Sequence, residues 1–108
     1  MNLTAKKCVP CEAGTPPLNS SEIEKYSSQL KTEWQILDDK KIRKKFKFKS
    51  FKEAMVFVNK VADLAESEQH HPDMKIQYNR VIIELWTHAI NGLSENDFIL
   101  ASKVEKLI

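Results

Sequence analysis

Hydrophobic periodicity along the chain predicts three helices. The first helix is predicted over residues 18–30, directly after two prolines. Asn19 can cap its start by accepting a hydrogen bond from the amide of Glu22, three positions later. From residue 51 to about residue 67, apolar side chains recur every three or four positions, as on one stripe of an amphipathic helix. Ser94 and Asp97 have the spacing of a capping box and therefore predict the start of a third helix.

Runs of alternating or β-branched residues predict four strands. They lie at residues 34–37, 43–49, 74–78 and 81–87. Asp38 and Asp39 separate the first two strands, and Asn79 and Arg80 separate the last two. Because asparagine tolerates the left-handed backbone of a tight turn, we expect a two-residue hairpin at Asn79 and Arg80.

The order of these elements, αββαββα, predicts the fold class. The economical packing is an α+β fold in which a four-stranded antiparallel sheet carries all three helices on one face. Val81 and Ile83 are expected to face the helices, whereas Ile82 and Trp86 lie on the opposite face. A second copy can cover that face or pair with an edge strand, so we expect a homo-oligomer, either a dimer or a tetramer.

Length and composition are those of one ordinary globular domain. The chain has 108 residues, of which 42% are hydrophobic and 30% charged, and its formal net charge is +2. We divide it into a flexible N-terminal arm at residues 1–17 and a folded domain at residues 18–108. No segment has the roughly 20 apolar residues of a membrane helix, and the N-terminus lacks the apolar run of a signal peptide. We therefore expect a cytoplasmic protein with no membrane partner.

Eight positive charges are concentrated in and around the second predicted strand. They are Lys40, Lys41, Arg43, Lys44, Lys45, Lys47, Lys49 and Lys52. A nucleic-acid interface also needs a helix that enters a groove, or aromatic side chains on the same face. Phe46 and Phe48 alternate away from the lysines. We therefore favour a solvated strand face or a guarded edge and expect no nucleic-acid partner.

Two cysteines, Cys8 and Cys11, form a single C-x-x-C in the N-terminal arm. A tetrahedral zinc site needs two more ligands, and a redox motif needs a thioredoxin-like setting at the start of a helix. The sequence shows neither context. We expect reduced thiols on a flexible arm, and the sequence leaves their role open.

The three histidines are the most unusual feature of the chain. His70 and His71 follow the second helix directly, and Pro72 biases His71 toward an extended backbone that leads into the next strand. His88 ends the following strand, which runs back toward the same end of the sheet. Antiparallel geometry can therefore bring the three imidazoles together.

Three interpretations of the histidines remain open on this reasoning. They can be surface residues at the ends of elements, or zinc ligands, since three histidines are a common catalytic set. Adjacent histidines, however, seldom point at one metal ion. They can also be a general acid and a general base that flank a substrate, because imidazole titrates near pH 6.5.

The flanking residues carry a resemblance to a known family. The matching positions are Glu66, His70, His71, Pro72, Tyr78, Thr87, His88 and Asp97. In this order and spacing they resemble the signature of the pterin-4a-carbinolamine dehydratase family. The αββαββα order is also similar to that family from about Pro17 to the C-terminus. Met74 departs from the pattern, because some members carry tryptophan there.

The resemblance implies an enzyme, a hydro-lyase that uses no metal and no organic cofactor. It implies dehydration of a 4a-hydroxytetrahydropterin to the quinonoid dihydropterin, which recycles the pterin for an aromatic amino-acid hydroxylase. We assign His70 and His88 to acid and base catalysis, with the direction left open. His71, Pro72 and Tyr78 are expected to bind the pterin. The alternative is a protein-interaction module, because some relatives act as dimerisation partners of a transcription factor.

Glu66 and Asp97 are expected to support the site, and both have structural alternatives. Glu66 near the C-terminus of a helix is unfavourable with the helix dipole, which favours a role beside an imidazole. Asp97 fits a capping box without any catalytic role. Tyr78 lies in an apolar strand pattern, where packing alone can explain it.

Overall fold

The computed structural model describes residues 3–9 and 14–108. Its regular elements, in chain order, are α1 (Ser20–Ser27), β1 (Gln35–Leu37), β2 (Lys41–Lys47), α2 (Phe51–Glu68), β3 (Asp73–Gln77), β4 (Arg80–Leu85) and α3 (Glu95–Glu105). Short 3-10 turns lie at Leu3–Ala5 and His88–Ile90. The predicted α+β class and its four-stranded antiparallel sheet are confirmed.

The helices begin where side chains can cap them. Asn19 forms the predicted capping box with Glu22 at the start of α1. Ser50 accepts a hydrogen bond from the amide of Glu53 and begins α2. Ser94 caps α3, as predicted. Each of these signals is local, which explains why the sequence located all three helix starts.

The sheet has the strand order β1-β2-β4-β3, and every pair is antiparallel. One face of the two central strands, β2 and β4, is buried except at Lys44. The side chains buried there are Ile42, Phe46, Val81, Ile83 and Leu85. They share one hydrophobic core with residues of α2 and α3, whereas Ile82 and Trp86 are half-exposed. The predicted division of β4 into two faces is therefore confirmed.

The β3–β4 hairpin turns one residue earlier than predicted. Gln77 pairs with Arg80, so the two turn residues are Tyr78 and Asn79. Tyr78 takes the left-handed conformation, with φ of 55°. Asn79 exchanges hydrogen bonds with the backbone of Phe48, at 2.8 Å in each direction. These contacts with the end of β2 determine the position of the turn, and no local pattern shows them.

Residues 3–9 of the predicted N-terminal arm pack against the domain, a contact that the sequence pattern did not predict. Leu3 is buried in the core. The backbone of Val9 forms two hydrogen bonds with the side chain of Asn96 in α3. Cys11, the second cysteine of the C-x-x-C, lies outside the described residues. The domain boundary at residue 18 stays a prediction.

None of the helices in residues 3–9 and 14–108 combines the length and the apolar character that crossing a membrane requires.

Candidate active site

An open cleft of about 500 Å³ lies at the end of the sheet where β3 begins and β4 has ended. Its lining consists of Val9, residues 69–73, residues 86–89 and Asn96. His70, His71 and His88 all line this cleft. Its volume is within the range of small-molecule sites, about 300 to 1,000 Å³.

The end of α2 directs the first two histidines into the cleft. Gln69 adopts the left-handed conformation, with φ of 53°, and ends the helix. The amide of His70 still bonds to the carbonyl oxygen of Ala65 at 3.2 Å, which ties the loop to the last helical turn. Pro72 follows and also lines the cleft. The sharp helix-to-strand turn therefore places two consecutive imidazoles at one site.

His70 is bonded to a buried carboxylate. Its Nε2 lies 2.6 Å from Oδ1 of Asp97, and the Asp97 side chain is 0% exposed. The His70 side chain itself is only 12% exposed. A carboxylate accepts hydrogen bonds, so this contact assigns the proton to Nε2 and leaves Nδ1 as the free nitrogen.

Asp97 also holds the start of α3. Its Oδ2 accepts hydrogen bonds from the amide of Ser94 at 3.0 Å and from the hydroxyl of Thr87 at 2.9 Å. The hydroxyls of Thr87 and Ser94 are in turn 2.7 Å apart. The two interpretations of Asp97 are therefore compatible: one oxygen caps the helix and the other contacts His70.

His71 has a weaker and more exposed partner. Its Nε2 lies 2.8 Å from Oε1 of Glu66, but the two side chains are 59% and 75% exposed. Ion pairs between side chains that are this exposed contribute at most about 1 kcal/mol to stability. Glu66 therefore reaches the cleft only through His71, and its contribution to the site is smaller than that of Asp97.

His88 lies in the 3-10 turn that follows β4, and its ring stacks on Trp86. The ring centroids are 3.9 Å apart and the planes are inclined by 25°. Trp86 Nε1 donates a hydrogen bond to Oδ2 of Asp73 at 3.1 Å. The sequence pattern assigned Trp86 to an oligomer contact and not to the site. The available signal was its spacing of two residues from His88, which puts both side chains on one side of an extended backbone.

Two other family-pattern positions lie away from the cleft. Tyr78 is in the hairpin turn at the opposite end of β3 and is 67% exposed. Met74 packs against the hydrophobic core. The structure thus brings together the three histidines, Pro72 and Asp97, and it does not bring Tyr78 to the cleft of its own chain.

The part of the chain that the structure describes contains no group of three or more histidine, cysteine, aspartate or glutamate side chains arranged to hold a metal ion. His70 and His71 each direct one ring nitrogen to a separate carboxylate.

Comparisons with known proteins point to one family. Residues 16–107 match the model of the family described as pterin 4 alpha carbinolamine dehydratase. A protein of Alkaliphilus metalliredigens, provisionally named as such a dehydratase, is 53% identical over 97% of this chain and 95% of its own length. A protein of Rickettsia canadensis with the same provisional name is 50% identical over 98% of this chain and 97% of its own length.

Solved structures show the same architecture. A crystal structure from Brucella melitensis, described as a transcriptional coactivator/pterin dehydratase, is 37% identical with a TM-score of 0.78, and the match covers 84% of this chain and 97% of that one. A pterin dehydratase-like RuBisCO assembly factor of the alpha-carboxysome has a TM-score of 0.62 at 24% identity, over 71% of this chain and 90% of that one, which shows the shared fold alone. The chain therefore belongs to the pterin-4-alpha-carbinolamine dehydratase family, a family of hydro-lyases.

Proposed function

We propose that this protein removes water from a 4a-hydroxytetrahydropterin by histidine acid–base catalysis. The observation that carries the proposal is the cleft itself, in which His70 is bonded to buried Asp97 while His88 lines the same space. Family membership supplies the class of substrate.

The reaction is an elimination across the C4a–N5 bond of the pterin. A base removes the proton from N5, and the electron pair of that N–H bond forms a double bond between N5 and C4a. The C4a–O bond breaks, and an acid protonates the departing hydroxyl so that it leaves as water. No electrons are gained or lost overall, and the products are the quinonoid dihydropterin and one water molecule.

We assign the base to His70. Its Nε2–H donates to Asp97, so its free Nδ1 can take the N5 proton. The buried carboxylate then stabilises the imidazolium that forms, as the aspartate of a catalytic triad does. The acid is His88, which is exposed at the cleft and can exchange protons with solvent between turnovers.

His71 and Pro72 are assigned to holding the pterin, because both line the cleft beside His70. Tyr78 is left out of the proposed site since it lies at the other end of the hairpin. We also propose that the protein is cytoplasmic and that its product serves an aromatic amino-acid hydroxylase after reduction. The elimination requires only proton transfer, so activity is expected to survive exhaustive chelation of metals.

Stopped-flow dehydration of an enzymatically generated 4a-hydroxytetrahydropterin tests the proposal. His70→Ala and His88→Ala are each expected to lower kcat by about 100-fold or more, whereas His71→Ala is expected mainly to raise KM. A wild-type rate no greater than that of the triple alanine variant would exclude the enzymatic function. Loss of wild-type activity on chelation would contradict the metal-free mechanism.

Glu66→Gln measures the importance of the exposed pair with His71. It is expected to change kcat/KM by less than about tenfold, because the pair is solvated. An unchanged rate and an unchanged pH profile would remove Glu66 from the site altogether.

The second candidate function is a protein-interaction module, and the description of the Brucella melitensis protein as a coactivator favours it. An interaction that is independent of catalysis is expected to persist in His88→Ala, whose cleft is altered while the fold is kept. Absence of pterin turnover in the wild-type protein would favour this candidate.

A further inference from the structure

Trp86 is the largest side chain in the cleft that the proposed mechanism does not use. It lines the cleft beside His88, and the two rings are stacked with centroids 3.9 Å apart. Offset stacking is an attractive arrangement for aromatic rings.

The indole is itself held by the two strands that flank β4. From β3, Asp73 accepts the hydrogen bond of Trp86 Nε1 at 3.1 Å. From β2, Nζ of Lys41 lies 5.0 Å from the centroid of the indole ring. The position of Trp86 is therefore set by side chains on both neighbouring strands.

The His88 imidazole has no comparable restraint. Within residues 3–9 and 14–108 it takes part in no hydrogen bond and no ion pair, and its residue is exposed in a short 3-10 turn. The other two cleft histidines are each bonded to a carboxylate. The stack on Trp86 is therefore what restrains the rotation of the His88 ring.

We propose that Trp86 is a positioning residue for His88: anchored by Asp73, it fixes the plane of the imidazole at the cleft. This inference rests on the proposed role of His88 as the proton donor to the departing hydroxyl. An imidazole that rotates freely is correctly oriented for only part of the time, and small errors in orientation are costly in catalysis.

Several charged or titratable groups surround the pair and can affect its protonation. They are Lys41 from β2, Asp73 from β3, Glu84 from β4, and His70 and His71 from the loop after α2. A test must therefore assign any pH dependence to His88 itself.

Tryptophan fluorescence gives a test that needs no substrate. A protonated imidazole in contact with an indole quenches the fluorescence of the indole by accepting an electron from the excited ring. The chain has two tryptophans, and Trp86→Phe reports the other one alone. We expect a pH-dependent step in the wild-type signal that is absent in Trp86→Phe and in His88→Gln but present in His71→Gln. A step that persists in His88→Gln would overturn the stack.

Kinetics then separate positioning from substrate contact. Trp86→Leu is expected to lower kcat by about tenfold with KM changed less than about twofold, because it acts through His88. Trp86→Phe keeps a ring for stacking but cannot donate a hydrogen bond to Asp73, so its kcat is expected to lie between those of the wild type and Trp86→Leu. In a His88→Ala background, Trp86→Leu is expected to have no further effect. A rise in KM alone, or an additive loss in the double variant, would overturn the proposal.

Failure of the proposed function is distinguishable from failure of this inference. If the wild-type protein does not dehydrate the pterin while the fluorescence step depends on His88, the stack exists but the proposed function is wrong, and the catalytic role of Trp86 falls with it. If the protein is active and the fluorescence or double-variant result fails, only the positioning role is overturned.

Discussion

Asp97 connects the stability of the fold to the chemistry of the site. Replacing it with Asn keeps the size of the side chain but leaves only one oxygen that can accept hydrogen bonds. If that oxygen caps α3, the amide nitrogen faces His70 and cannot accept its Nε2–H. His70 is then expected to take the other tautomer and lose its free Nδ1. We predict that Asp97→Asn lowers kcat by about 1,000-fold, measured by stopped-flow dehydration. A urea titration verifies that the variant is folded, and activity within tenfold of wild type would contradict the assignment of the base.

Cys8 is a poor nucleophile in the folded protein. Burial, followed by the negative charge of Glu68, raises the pKa of its thiol from 9.0 to about 12. Because the thiolate is the reactive form, its fraction at pH 8 falls by about a thousandfold. In a Cys11→Ser variant, we predict that iodoacetamide modifies Cys8 at least about 100-fold more slowly in the folded protein than in denaturant. Equal rates in the two states would show that residues 3–9 do not stay packed.

At the scale of elements, α2, α3 and the N-terminal segment meet at one nearly buried ion pair. Oε2 of Glu68 in α2 lies 2.6 Å from Nζ of Lys103 in α3. Oε1 of Glu68 accepts a hydrogen bond from the amide of Cys8 at 2.9 Å. Burial by itself raises the pKa of Glu68, but the hydrogen bonds from Lys103 and from the Cys8 amide outweigh it, so the pKa lies below 4.5. The ionised form of Glu68 therefore stabilises the folded state.

A pH titration of stability tests this junction. Because the folded-state pKa is lowered, the stabilisation is fully present above pH 4.5 and is lost as the pH falls through the lower, folded value. We predict that Glu68→Gln lowers the free energy of unfolding at pH 7 by about 2 kcal/mol and that the difference narrows below pH 4.5. Urea denaturation at pH 3.5 to 7 measures it, with the exposed Glu66→Gln as control. A difference that is constant with pH would contradict the role of the charge.

The elements that the sequence predicted well are those specified by nearby residues. Caps at Asn19 and Ser94 and the alternation of β4 depend on spacings of two or three positions, so they were visible. The hairpin turn was misplaced by one residue because Phe48, thirty-one positions away, bonds to Asn79. The packing of Leu3 in the core is equally non-local. Local patterns carry no information on such contacts.

At the scale of the whole molecule, the site was predictable as a group of residues but not as a set of contacts. Strand direction alone indicated that His70, His71 and His88 lie at one end of the sheet. The pairing of His70 with Asp97 joins positions 27 residues apart, and it depends on how α3 packs against the sheet. Only the resemblance to a family selected Asp97 as a site residue beforehand, and only the structure distinguished the roles of its two oxygens.

The outer face of the sheet limits how copies of this chain can associate. The side chains that lie there by strand alternation are mainly basic: Lys41, Arg43, Lys45, Lys47, Lys75 and Arg80, against Asp73 and Glu84. Two such faces repel each other when they meet, and the repulsion grows as salt is removed. A contact through Ile82 and Trp86, one of the two arrangements considered from the sequence, is therefore disfavoured relative to pairing at an edge strand.

Sedimentation equilibrium tests both the oligomer and its location. We predict that the protein sediments as a multiple of the single-chain mass and that this mass is unchanged in Lys45→Glu, whose substitution lies in a central strand on the outer face. The mass is also expected to be the same at about 0.02 M and 0.2 M salt, because edge pairing depends on backbone hydrogen bonds that ions screen little. A single-chain mass would contradict the oligomer. A mass that changes with salt or with Lys45→Glu would instead place the contact on the charged face, where it would partly cover Trp86 and narrow the entrance to the cleft.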